Sequence, residues 1–531
     1  MALGTMLSRA TGIIREVAVI SAVGTAVFAD TYSVGNSLPN VVYMLMVGGT
    51  LQAVFVPQIV RRMRDDSDSG SAYIQRLLTA TLVVLVALTV VAVLAAPWIA
   101  GVYGSGQWSD SDRSVAVAFT RYCLPQIVFY GLFEMLSQVL NARGKFGAPM
   151  FAPIANNIVV IATAVLFVGL VTSGDATLTT GTVNEAQVAY LGIGTTLGVA
   201  AQALLLLPVL RRSGQAWKLR FDWRDAGLGK AFSLARWAIL LVLVNQLGYI
   251  VITRLATTAN VLAQDTAATA AGFTTYQKAH LLFVLPHGII TVSLVTAVVP
   301  LMSGLAHSGE TDRIRNELTR VLRAIASFII PAAAVVCALG PQIGMVLYGS
   351  GASNLASGRA IGVTLSIFAL ALPAYSLYYA LLRVFYAHED TRTPVVLTVV
   401  LNAVNVSLAW WLFTIADVAD KVPALAVAYV AAYWVTLVAT WLVVRRRLAG
   451  LAVRTLVSHS LRMLAVSLPA AALAWWVADV LTDLHLRSWE RLLPVALAGL
   501  AALMLVVLLG RVLRLPEFSV SLRSLRTRLK P

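Results

Sequence analysis

Nine ionisable side chains interrupt the apolar stretches of this chain: Arg9, Arg15, Glu16, Asp30, Glu134, Arg254, Lys278, His280 and His287. A charge at bilayer depth costs at least roughly 2.5–3.5 kcal/mol on insertion scales, so each must face protein or water. Guanidinium groups match phosphate oxygens two at a time and stay charged at any accessible pH. The chemistry implied is binding of an anionic, phosphorylated ligand, with Asp30 and Glu16 pairing some of the arginines. Catalysis is not expected, nor is a cofactor or a metal. The sequence has no Gly-rich phosphate loop, HExxH, Gly-Xaa-Ser-Xaa-Gly elbow or aspartate-rich metal motif. "HED" at 388–390 offers only two adjacent carboxylates.

The elements that must position these groups are membrane helices. The chain has 531 residues, 59% hydrophobic and 12% charged, against about 25% charged in soluble domains. Apolar runs of the roughly 20 residues a span needs recur throughout, continuous rather than alternating as barrel strands would be. The fold class expected is an all-α polytopic membrane protein with fourteen spans. They fall near 3–27, 31–60, 78–103, 114–141, 148–172, 186–210, 234–257, 269–302, 324–348, 360–386, 394–414, 422–444, 462–480 and 491–513. Cys123 and Cys337 lie in different apolar runs and behave as small hydrophobes.

Charge sets the orientation. Most of the 40 Lys and Arg fall in the loops after even-numbered spans and in the tail. The opposite side keeps Arg113, Arg121, Arg359, Lys421, Arg487 and Arg491. Positive charge stays cytoplasmic, which predicts both termini inside. The net charge of +16 then reflects loops facing anionic lipid, and nucleic acid is not an expected partner.

A duplication is visible. "YGSG" occurs at 103–106 and 348–351, and Ala142, Pro149 and Asn157 recur as Ala387, Pro394 and Asn402, all offset by 245. Arg9 maps onto Arg254 by the same offset. An offset of six spans gives two parallel six-helix halves, a transporter architecture with its site between the halves. The expected lobes are 1–213 and 214–448. Residues 449–531 add two helices and a basic tail.

Each singled-out residue also has a plainer reading. Arg9 and Arg15 could snorkel to the headgroups, and Asp30 could cap the second helix. Glu134 reads as a buried hydrogen-bonding group, and His287 as a partner for backbone freed by Pro286. Asn156, Asn157, Asn402 and Asn405 read as interhelical hydrogen bonds. Pro39, Pro57, Pro125, Pro149, Pro286, Pro300, Pro373 and Pro394 are expected to kink or break helices.

Three blocks carry a family likeness: "SRATGIIRE" at 8–16, "FADTYSVGNSLPN" at 28–40 and "GGTLQAVFVPQI" at 48–59. They resemble the opening of the MurJ/MviN family, the bacterial lipid II flippases. "LPHGIITVSLVTAVVPLMS" at 285–303 resembles the family's eighth span. The resemblance implies the multidrug/oligosaccharidyl-lipid/polysaccharide exporter fold, with two lobes around a cationic cavity. It also implies a groove at helices 13 and 14 for a polyprenyl tail. The implied activity moves undecaprenyl-pyrophosphate-linked muropeptide from the cytoplasmic to the outer leaflet, in the bacterial inner membrane. The family's two span-1 arginines match Arg9 and Arg15, and its hairpin aspartate matches Asp30. With these, Arg254, Lys278 and His280 are the expected substrate-binding residues, supported by Glu16, Asn40, Tyr43 and Glu134.

The chain departs from the family pattern at several points. Tyr43 stands where many relatives have an arginine, and Gly48 replaces an acidic residue of span 2. Lys278 and His280 are the nearest matches to the basic residue of span 8. Spans 7 and 11 lack the carboxylates of the sodium site found in some relatives. Actinobacterial relatives can carry a cytoplasmic kinase-like domain after the last helix, which this sequence lacks; its Arg-rich, Lys-poor composition fits such a bacterium. Cell-wall synthesis proteins and membrane lipids are the other expected partners. Two rival readings are export of another polyprenyl-linked oligosaccharide or a drug, and a non-transporting scaffold for cell-wall enzymes. A drug exporter of this fold usually has twelve spans and an acidic cavity, and a scaffold needs no buried charge.

Overall fold

The structure is a computed structural model that describes residues 2–47, 59, 61–66, 68, 70–171, 178–215, 217–222, 228–266, 271–482 and 491–513. Among them the regular structure is helical throughout. Eleven helical stretches are long and apolar enough to cross a membrane, or twelve if the bent pair Leu355–Ala369 and Leu372–Ala387 is one span. The two N-terminal helices, α1 (Ala2–Val23) and α2 (Val27–Val47), carry three charges and a run of polar residues respectively. With them the helices correspond one to one with the fourteen expected segments; the end of the second, with Pro57 and Gly48, lies outside the described residues.

One compact unit contains residues 1–274 and 351–353. After α2 it holds α3 (Ser71–Leu94), α4 (Ala96–Tyr103), α5 (Asp110–Cys123), α6 (Gln126–Ala142), α7 (Gly147–Val171), α8 (Glu185–Leu204), α9 (Leu206–Arg212) and α10 (Leu228–Asp265). Capping boxes start two of them: Ser109 with Asp112 on α5, and Asn184 with Gln187 on α8. Each satisfies two backbone N–H groups that the first turn leaves open. α1 packs on α7, and α2 on α5, α6 and α10. Their core is aromatic, with Phe28 between Phe119 at 5.6 Å and Phe167 at 6.5 Å. Gly194 and Gly198 of α8 leave room for Thr163 and Asn156 of α7, the close small-residue approach that dispersion favours in lipid.

The other unit contains 275–350 and 354–531. It comprises most of α11 (Phe273–Pro286), then a π-helical turn at His287–Thr291, α12 (Val292–His307), α13 (Thr311–Tyr348), α14 (Leu355–Ala369), α15 (Leu372–Ala387), α16 (Arg392–Ile415), α17 (Lys421–Arg447), α18 (Val453–Thr482) and α19 (Leu492–Val512). α13 is its central post, packed against α14, α15, α18 and α19. Four glycines, Gly340, Gly344, Gly358 and Gly362, bring the α13 and α14 backbones into direct contact. Ala470, Ala474 and Ala478 of α18 share a buried seam with Ala498 and Ala502 of α19.

The prolines divide by position. Chain breaks occur at Pro125, between α5 and α6, and at Pro373, where α14 and α15 bend by 49°. Pro286 ends α11 at the π turn. Pro39 and Pro300 instead sit inside continuous helices. Pro149 and Pro394 fall in first turns, where a missing N–H costs little. α10 also runs past the expected span to Asp265.

Candidate functional site: ionisable groups within the helices

Arg15 lies two-thirds along α1 and its immediate chain neighbour holds it. Its Nη2 donates to Glu16 Oε1 at 2.5 Å and its Nε to the same oxygen at 3.2 Å. The two side chains keep 29% and 13% of their surface accessible. Tyr32 and Tyr130 lie within electrostatic reach. A charge-assisted pair of this kind is stronger than a neutral hydrogen bond, yet its accessible edge leaves guanidinium donors for a ligand. Arg9 is exposed. Six residues separate the two, about 120° around the helix, so a shared face is ruled out and their different surroundings follow.

Asp30 corrects an expectation. It is fully enclosed, at 0% exposure, and pairs with no arginine among the described residues. Its Oδ2 accepts from Asn260 Nδ2 at 2.9 Å and from Phe273 N at 3.0 Å, while Oδ1 accepts from Thr274 N at 2.7 Å. The helix capped is therefore α11, not α2. A carboxylate on open N–H groups at a helix start also meets the positive end of the dipole. Gly272 makes this possible, because a Cβ there would collide with the Asp30 carboxylate and Asn260. This geometry ties Asp30 to the start of α11 and to Asn260.

Arg254 is exposed on α10 beside the first "YGSG" loop: a Cβ placed on Gly106 would lie 3.4 Å from its Nη2. The loop is tied to the same helix by Ser105 and Thr258 hydroxyls 2.9 Å apart. The second copy of the motif meets α1, where Ala352 N donates to Ser21 O at 2.8 Å. Gly351, at φ +73°, takes a left-handed backbone there that a Cβ would strain.

On α11, Lys278 is buried and His280 half-buried. His280 Nε2 lies 3.1 Å from Tyr429 Oη. His287 does not serve the backbone freed by Pro286; its Nδ1 pairs with Ser376 Oγ of α15 at 3.0 Å. Glu134 accepts from Gln138 Nε2 at 2.6 Å, the buried hydrogen-bonding role expected of it. Asn157 bridges to α1 through Thr11 Oγ1 at 2.8 Å. Asn402 donates to Thr398 O in its own helix. Asn40 is half-exposed on α2; the side chain of Tyr43 lies outside the described residues.

The site as built thus brings Arg15 to Glu16 and Asp30 to α11, and leaves Arg9 and Arg254 exposed in separate surroundings. Sequence reading missed Asn260 and Gly272, which carry no charge, and Arg383. Arg383 falls inside α15, stacked over Tyr379 at 4.1 Å. Tyrosines at four-residue spacing on α15 and α17 were the available signal for its setting.

Residues 19–489 match the family model described as lipid II flippase MurJ. The chain belongs to the lipid II flippase MurJ family. The match begins after Arg9 and Arg15, so the span-1 arginines rest on the motif and the geometry above. Among curated members, the probable lipid II flippase MurJ of Haemophilus influenzae is 26% identical over 76% of this chain and 77% of its own. That of Rhizobium tropici is 27% identical over 83% and 79%. The lipid II flippase MurJ of Burkholderia cenocepacia is 26% identical over 74% and 73%. In fold, the chain is similar to a lipid II flippase MurJ in an inward closed conformation, with a TM-score of 0.73 at 18% identity over 96% of this chain and 99% of that one. An inward-facing multidrug resistance MATE transporter of the MOP superfamily follows at 0.62, with 14% identity over 83% and 94%. The family fold is a multi-pass membrane transporter, as the composition predicts.

Proposed function

We propose that this chain moves lipid II from the cytoplasmic to the outer leaflet of the bacterial plasma membrane by alternating access. The observation that carries the reading, beside family membership, is the Arg15–Glu16 pair inside α1, which keeps an accessible edge. The pyrophosphate engages Arg15, with Arg9 at the cytoplasmic mouth and Arg254 and Lys278 adding positive charge. Lobes 1–213 and 214–448 rock about the bound head, while 449–531 serves the tail and both termini stay cytoplasmic. An apolar groove of about 460 Å³ supports a seat for the tail: Cys337 of α13, Leu370, Trp434 of α17, and Leu468 and Trp475 of α18 line it. Inside-negative potential, worth about 2.3 kcal/mol per charge per 100 mV, resets the cationic empty carrier. The test is translocation of labelled lipid II in liposomes; an Arg15→Ala protein as fast as wild type would sink the reading.

A further inference from the structure

Six side chains from three helices and the π turn of the second unit form a continuous ladder. From His280, ring centroids step 5.4 Å to Tyr429, 4.6 Å to Tyr433, 5.0 Å to Tyr375, 4.5 Å to His287 and 4.9 Å to Tyr379. The Arg383 guanidinium then lies 4.1 Å over Tyr379. Helical spacing makes this possible: four residues separate Tyr429 from Tyr433, Tyr375 from Tyr379 and Tyr379 from Arg383, and seven separate the histidines.

The ladder is not closed like a core. Phe283 and Phe368, which back it, are buried, as is the His287 rung, whereas His280, Tyr375, Tyr379, Tyr429, Tyr433 and Arg383 keep part of their surface accessible. Core filling alone would be served by Phe and Leu. Phenols and imidazoles instead combine an apolar face with a polar tip, the mixture that fits sugar rings, whose C–H faces lie on aromatics while their hydroxyls seek donors and acceptors. At the end of the ladder, Arg383 Nε is buried without a hydrogen-bond partner among the described residues.

We propose that this ladder is a carbohydrate track, along which the sugar rings of a lipid-linked oligosaccharide stack. The proposal rests on the lipid II reading and deepens it, assigning the sugars to the second unit's aromatic rungs and the pyrophosphate to the cations.

The test compares two ligands on purified full-length protein in lipid nanodiscs: lipid II and sugar-free undecaprenyl diphosphate. Tyr433→Leu and Tyr379→Leu should weaken lipid II binding by about three- to tenfold, since one aromatic contact is worth about 0.5–1.5 kcal/mol, and leave the sugar-free ligand unchanged. Tyr433→Phe, which keeps the ring, should lose less than Tyr433→Leu. Variants that keep wild-type thermal midpoints yet bind lipid II normally, or that lose both ligands equally, overturn the track. Wild-type protein that binds neither ligand refutes the flippase reading itself.

Discussion

Asn260 holds Asp30 in place: one Nδ2 donates to the carboxylate at 2.9 Å and to the Thr25 carbonyl at 3.0 Å. The carboxylate in turn holds the first two N–H groups of α11, the helix that carries Lys278 and His280. Asp30→Ala strips charge-assisted bonds from enclosed donors and should cost about 2–4 kcal/mol. Gly272→Ala should destabilise as well, by overpacking of about 1–3 kcal/mol. Thermal unfolding in detergent reads both, and an unchanged midpoint for Asp30→Ala would remove the capping role.

Arg15 and Arg9 should differ in function. Arg15→Ala should lower lipid II translocation about tenfold or more, the worth of a charge-assisted bond, and Arg9→Ala less. Glu16→Gln releases the guanidinium from its neighbour and should change substrate affinity without unfolding the protein. Equal losses for both alanine variants would contradict the separate surroundings seen for the two arginines.

The loop at Asp390 should confer acid sensitivity. Burial works to raise this carboxyl's pKa, but hydrogen bonds from Thr393 N and Oγ1 and from Arg447 prevail and hold it below the usual range. A depressed folded pKa contributes stability above the unfolded value, about 3.9, and loses it as pH falls through the folded one. Asp390→Asn should therefore be less stable than wild type at pH 7, by up to about 1 kcal/mol for so exposed a pair. The gap should close as the pH drops below about 4. Melting curves across pH 3–7 decide it, and a gap that widens on acidification refutes it.

Glu389 sits next door with φ 57°, a left-handed backbone that disfavours any residue with a Cβ. Glu389→Gly should hold or raise stability by about 0.5–1 kcal/mol, whereas Glu389→Val should lower it. Thermal midpoints are the check, with Glu389→Gly at or above wild type and Glu389→Val below it.

Two native thiols report on the apolar groove. Cys337 lines it, whereas Cys123 is completely buried. A membrane-permeant maleimide should label Cys337 alone, and saturating lipid II should slow that labelling. Labelling at an unchanged rate would mean that the tail lies elsewhere.

The helices were legible because apolar runs and loop charges each follow a physical limit: bilayer thickness for the first, and the site of insertion for the second. The pairing of Arg15 with its own neighbour was legible too, as both groups are charged and adjacent. The role of Asp30 was not, because its partners are backbone N–H groups more than 240 residues away and an uncharged amide. Arg383 was not singled out because residue type alone does not show a guanidinium lying over an aromatic ring inside a helix. The histidines were noticed singly, but their ladder arises only when α11, α15 and α17 pack together.

The π turn at His287–Thr291 acts as a phase shifter. Such a turn takes in one residue beyond the α-helical repeat, and one residue is about 100° of rotation. α11 can therefore keep His280 on the aromatic ladder and Phe283 behind it while α12 independently turns Met302 and Leu305 to their buried positions. Deleting one residue from that turn would put the two faces back in step, and then only one of them could meet its neighbours.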